Sequence, residues 1–104
     1  MLASVIGADE HIDRAAAAVG CTLVLTNRRL YLVRDGASFR PRTGIQSWPL
    51  DDQLEIQIGP SRRDSRRLAI VGTGRSASMF LTGDLLDAME AFIGEVHRRA
   101  NGLG

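Results

Sequence analysis

The stretch from Cys21 to Arg34 constrains this chain more than any other. It holds two apolar runs, Cys21 to Thr26 and Leu30 to Val33, made of aliphatic and β-branched residues with one tyrosine. The polar trio Asn27-Arg28-Arg29 separates them. Asparagine tolerates the left-handed backbone that a tight turn demands, so the pattern predicts two strands joined as a hairpin. Apolar residues fall on both faces of each run, so both strands are expected to be largely buried, at the centre of a small β domain.

The remaining strands are predicted from shorter signals. Ile45 to Leu50 carries Trp48, the largest apolar group of the chain, and Pro49 limits its pairing. Leu54, Ile56 and Ile58 alternate with Glu55 and Gln57, the signature of a strand with one buried face, which Gly59-Pro60 is expected to end. Ser61 to Arg67 reads as a polar loop, Leu68 to Val71 as a strand, Gly72 to Arg75 as a turn, and Ser76 to Leu81 as the final strand. Asp35-Gly36 signals another turn, and Pro41 places the piece around Phe39 at an edge or in a loop. Met1 to Gly7 reads as a loose lead-in. Inter-turn spacings of about 8 to 12 residues belong to an all-β sandwich or barrel.

The last element is a helix over about 84–100. Leu85, Leu86, Met89, Phe92, Ile93 and Val96 recur at spacings of three and four and form one apolar stripe. Asp84 can cap its start, with Asp87 in capping-box spacing, and Arg98 and Arg99 suit the negative end of the helix dipole. Glu95 and Arg99 are expected to pair on the solvent face, and Gly102 is a suitable stop. Asp87, Glu90 and Glu95 make the polar face acidic, which argues for a core plug and against a membrane-surface helix.

The pattern formed by Gly20, Thr22 to Asn27 and Arg29 to Leu32 also resembles the second and third strands of bacterial pleckstrin-homology-like domains, relatives of the PH and GRAM domains. Thr26, Asn27, Arg29 and Leu30 carry the most specific part of the match. The resemblance covers roughly residues 8–100 and implies a mainly β (β+α) fold. That fold has about seven antiparallel strands in a barrel or two nearly orthogonal sheets, closed at one end by a C-terminal helix. It also bears on Asp9 to Val19, where four consecutive alanines favour a helix by propensity. The resemblance puts the first strand there, pairing with Cys21 to Thr26 across Val19-Gly20, and a strand is the expectation adopted.

At 104 residues the chain is expected to be a single domain, with 44% hydrophobic and 24% charged residues in the ordinary soluble range. Its formal net charge is +1, so no global field draws it to nucleic acid or membrane. The lone cysteine, Cys21, rules out an internal disulfide and is expected to be a small buried hydrophobe. Neither a secretory signal nor an apolar run of the ~18 residues needed for a membrane span is evident, so a cytoplasmic protein is expected.

No constellation for catalysis or metal binding is found. Cys21, His11 and His97 sit on three separate elements without ligand spacing, and no nucleophile, base and orienting acid converge. Gly72-Thr73-Gly74-Arg75-Ser76-Ala77 fits a dinucleotide glycine pattern, but no room follows it for a β-α-β unit, so a hairpin turn is expected and no cofactor. The best candidate site is the cluster Arg62, Arg63, Arg66 and Arg67, whose guanidinium groups could clamp phosphate; the competing reading is a solvated loop neutralised by Asp64 and other acids. Phosphoinositide-binding PH domains use basic residues around the first hairpin loop, but Val19-Gly20 carries none, so that site is not transferred. Arg28 and Arg29 are expected to be structural, at least one pairing with an acid or capping carbonyls.

The expected function is therefore a non-enzymatic binding module acting through protein–protein contacts, self-association included. The alternative is a peripheral module that binds anionic lipid headgroups through Arg62 to Arg67. Nucleic acid is not an expected partner, because no aromatic residue within the loop could stack on bases.

Overall fold

A computed structural model of the chain describes residues 9–34, 44–62, 65–72 and 74–102, with the backbone alone at 61, 62, 101 and 102. The lead-in before residue 8 and the segment holding Asp35-Gly36, Phe39 and Pro41 lie outside the described residues. Among the described residues seven strands and one helix follow in order: β1 Ile12–Ala18, β2 Cys21–Thr26, β3 Arg29–Arg34, β4 Ile45–Pro49, β5 Glu55–Arg62, β6 Ser65–Gly72, β7 Arg75–Thr82 and α1 Gly83–Gly102. They form two antiparallel sheets, β1-β2-β3-β4 and β5-β6-β7.

β1 is a strand despite its alanines. Ala18 pairs with Cys21 across a two-residue turn in which Gly20 adopts φ 76°, a left-handed value that costs glycine little. Ala16 and Ala18 point into the core, where their small side chains let α1 lie close to the sheet; β1 is the strand it packs on most. Tertiary contact thus overrides helix propensity here.

The expected central hairpin is present, with Val24 opposite Tyr31 and Leu25 opposite Leu30. Leu23, Leu25, Leu30, Tyr31 and Leu32 are wholly buried. Pro49 sits in β4, an edge strand, where its missing N–H costs no ladder bond on the open side.

Two boundaries differ from the sequence reading. Gly59-Pro60 does not end β5: the ladder shifts register between Ile58 and Ser61 and resumes with Ser61 opposite Arg66 and Arg62 opposite Ser65. β5 is also an edge strand, so a bulge absorbs the proline and the strand continues. The helix begins at Gly83, so Asp84 lies in its first turn and not at the cap; the Thr82 hydroxyl, just before the helix, donates to the Asp84 carboxylate.

The core lies between the sheets and under the helix. Met89, Phe92, Val96 and Ala100 bury one face of α1, with Leu85, Leu86 and Ile93 flanking it. Trp48 is buried, and its indole N–H donates to the Arg75 carbonyl at 3.3 Å. The ring lies against Gly72, where an added Cβ would come within 2.5 Å of the ring carbon Cδ1. Gly72→Ala should therefore destabilise the protein by about 1–3 kcal/mol, the usual cost of overpacking. Urea denaturation measures it, and an unchanged midpoint would contradict the packing described.

Glu95 and Arg99 pair at 2.7 Å, but not on an open solvent face: their side chains are 13% and 26% exposed, and Arg99 also binds Asp13 of β1. Arg98 grips the same Glu95 carboxylate. Hydrogen bonds from Arg98, then Arg99, lower the Glu95 pKa from 4.5 to about 2, and the Arg99 hydrogen bond lowers that of Asp13. A depressed carboxylate contributes stability above its unfolded pKa and loses it as pH falls through the folded value. Melting temperature should thus fall between pH 4.5 and about 2. Glu95→Gln should flatten that fall, and equal slopes for both proteins would contradict it.

Candidate functional site

The four arginines singled out in the sequence do not sit in one loop. β5 and β6 extend as a hairpin ladder through Arg62 and Ser65, leaving residues 63 and 64 between them, and Arg63 and Asp64 lie outside the described residues. Arg66 and Arg67 are consecutive in β6, so the two-residue period of a strand sends their side chains to opposite faces. Arg66 is opposite Leu81 on the inner face and is half-buried. Arg67 is opposite Phe80 on the outer face and exposed, where its Nη2 reaches the Ser78 hydroxyl at 3.4 Å. Neither pairs with an acid among the described residues.

Phe80 is the residue the sequence reading missed. It is 55% exposed, although the strand around it is core. The signal was present: Met79-Phe80-Leu81 is three apolar residues in a row, and Met79 and Leu81 face inward, so Phe80 must face out. With Pro60, Ser65 and Arg67 it lines an open pocket of about 520 Å³. The outer face of this sheet continues through Val71, which is 51% exposed, and Glu55, Gln57, Ser76 and Ser78. It combines an aromatic ring, a guanidinium and small polar residues, a mixture that suits an amphipathic partner.

A second polar cluster lies inside the protein. The Thr26 hydroxyl accepts the backbone N–H groups of Arg28 at 3.1 Å and Arg29 at 3.0 Å and donates to the Glu10 carboxylate. The Tyr31 hydroxyl donates to the same carboxylate, 3.1 Å from each oxygen. Burial, reinforced by that hydrogen bond, raises the Tyr31 pKa. Thr26 and Tyr31 are wholly buried and Glu10 nearly so, which closes the cluster to a substrate. Asn27 clamps the chain ahead of β1: its Oδ1 accepts the His11 N–H at 2.8 Å, and its Nδ2 donates to the Asp9 carbonyl at 3.1 Å.

Two solved structures match this arrangement. One is a DUF1696 family protein with a pleckstrin-homology domain from Shewanella loihica, 18% identical, with a TM-score of 0.64 over 92% of this chain and 89% of that one. The other is a pleckstrin-homology domain from Shewanella amazonensis, 17% identical, with a TM-score of 0.64 over 92% and 91%. The chain has a pleckstrin-homology-like fold. No family model and no curated protein matches it.

Within this PH-like fold the Thr-Asn-x-Arg-Leu-Tyr run has a structural explanation. Thr26 closes the β2–β3 turn, Asn27 fastens the lead into β1, Leu30 fills the core and Tyr31 satisfies Glu10. Arg28 pairs with Asp9 at 3.6 Å. Cys21 is buried. His97 accepts the Ile56 N–H at 3.1 Å, covering part of the open edge of β5, and His11 lies 3.0 Å from Asp13. Among the described residues no three His, Cys, Asp or Glu side chains gather where they could hold a metal ion. No helix among them is long and apolar enough to cross a membrane.

Proposed function

We propose that this PH-like domain is a non-enzymatic binding module whose contact surface is the outer face of the β5-β6-β7 sheet and whose partner is protein. The carrying observation is Phe80, 55% exposed opposite Arg67, with which it lines an open pocket. Exposed aromatic and arginine side chains are the types that anchor protein interfaces. The internal carboxylate and phenol are committed to each other and to Thr26, which favours binding over catalysis.

Anionic lipid is the alternative partner. A headgroup clamp needs its guanidinium groups on one side, and β6 sends Arg66 and Arg67 to opposite faces, which favours protein. Co-sedimentation with anionic vesicles at low and at physiological salt separates the two. Little binding at physiological salt is expected, with no change when Arg62, Arg63, Arg66 and Arg67 become serine. Strong binding that these substitutions abolish would make lipid the partner instead.

A further inference from the structure

The outer face of the second sheet carries an acid at one end and an arginine at the other. Its residues fall in rows across the strands. Glu55, Val71 and Ser76 form the first row; Gln57, Ala69 and Ser78 the second; Arg67 and Phe80 the third, beside the β5 bulge. The acid and the arginine therefore stand at opposite ends of the face, on neighbouring strands, with small residues between them.

We infer that the occupant of this face is a second copy of the chain, packed sheet to sheet about a two-fold axis that runs along the middle row. Such an axis lies across the strands and reverses their direction, so β6 lies over the partner copy's β6 and β7 over its β7. The first row of one copy then meets the third row of the other. Phe80 lies over the small Ser76, and the aliphatic stem of Arg67 lies over Val71. Ala69 and Ser78 meet their own counterparts, where small side chains permit close approach. Glu55 comes within reach of Arg67 across the interface, one strand over. The contact is isologous, so each of these pairs occurs twice, and the opposite charges select this orientation over the parallel one.

Area sets its strength. Three strands of about eight residues present a face of about 14 by 27 Å, or roughly 400 Å². A standard interface buries about 800 Å² per partner, so the dimer is weak and forms with rising concentration. The inference rests on the protein-contact reading above and names its partner.

Sedimentation equilibrium on the full chain, from about 10 µM to about 1 mM, is the test. The average mass should climb from one chain toward two. Glu55→Arg alone and Arg67→Glu alone each place like charges together and should weaken association at least about tenfold, and the double reversal should restore it. Ser76→Arg, which fills the space beneath Phe80, should weaken it independently of charge pairing. Circular dichroism confirms folding, and the three positions altered, 55, 67 and 76, are exposed, so the native fold should persist. A chain that stays monomeric throughout, or a double reversal no better than the single variants, overturns the inference. Monomeric behaviour together with cross-links from position 80 to a different protein overturns the second copy and leaves the protein-contact reading standing. Monomeric behaviour without any protein cross-link sinks both.

Discussion

Phe92→Ala is expected to lower stability by about 3–5 kcal/mol, the range for emptying a buried aromatic site. Phe92 is 2% exposed, between Met89 and Val96 on the buried face of α1. The cavity would open where helix and sheets meet, and their rigid backbones leave little room for collapse. A domain of this size has about 5–15 kcal/mol in total, so the loss takes a large share of it. Each kcal/mol moves the melting temperature of a small domain by about 4–8 °C, giving a fall of about 12 °C or more. Thermal denaturation by circular dichroism measures it. A variant that melts within a few degrees of the parent would mean that α1 is not the plug of this fold.

Thr26→Val should be nearly as costly, for a different reason. Valine has the shape of threonine, so packing alone predicts almost no change. The hydroxyl, however, accepts two backbone N–H groups and donates to Glu10. Its removal leaves the buried carboxylate short of a donor and the turn short of an acceptor. Each buried polar group left unsatisfied costs about 1–3 kcal/mol, more when charged, so a loss of roughly 2–5 kcal/mol is expected. Thr26→Ser keeps the hydroxyl and should lose only about 1 kcal/mol of methyl burial. Urea midpoints for the two variants decide it. Equal losses would show that the methyl, and not the hydroxyl, matters at this position.

Much of this architecture was legible in the sequence, because local patterns set it. The central hairpin, the alternation of Leu54, Ile56 and Ile58, and the stripe from Leu85 to Val96 each report one buried face, and each element is present. β1 was not legible from its own residues. Its alanines favour a helix, and only contact with α1 and β2 makes it a strand. The hairpin at 61–66 hid for a related reason. Ser61, Arg62, Ser65 and Arg66 carry little apolar signal, and the ladder that holds them comes from strands continuing on either side. Long-range partners were equally invisible: nothing local links Arg99 to Asp13 or His97 to Ile56.

The candidate site shows the same division. Composition pointed to the arginines, yet composition cannot tell which face of a strand each residue takes. Register answers that, placing Arg67 with Phe80 and Arg66 with Leu81. The aromatic half of the site went unread because an exposed phenylalanine between two buried residues resembles core until the strand's phase is known.

Photo-cross-linking from that position tests the protein-contact surface most directly. Phe80 would be replaced by benzoylphenylalanine in the full chain, with the same substitution at Ile12 as control. Ile12 is 53% exposed, close to Phe80 at 55%, but belongs to the other sheet. After irradiation in cells, mass spectrometry of the adducts should show discrete protein cross-links from position 80 and few from position 12. Equal labelling from both positions, or adducts to lipid in place of protein at position 80, would contradict the assignment of this face as a protein-binding surface.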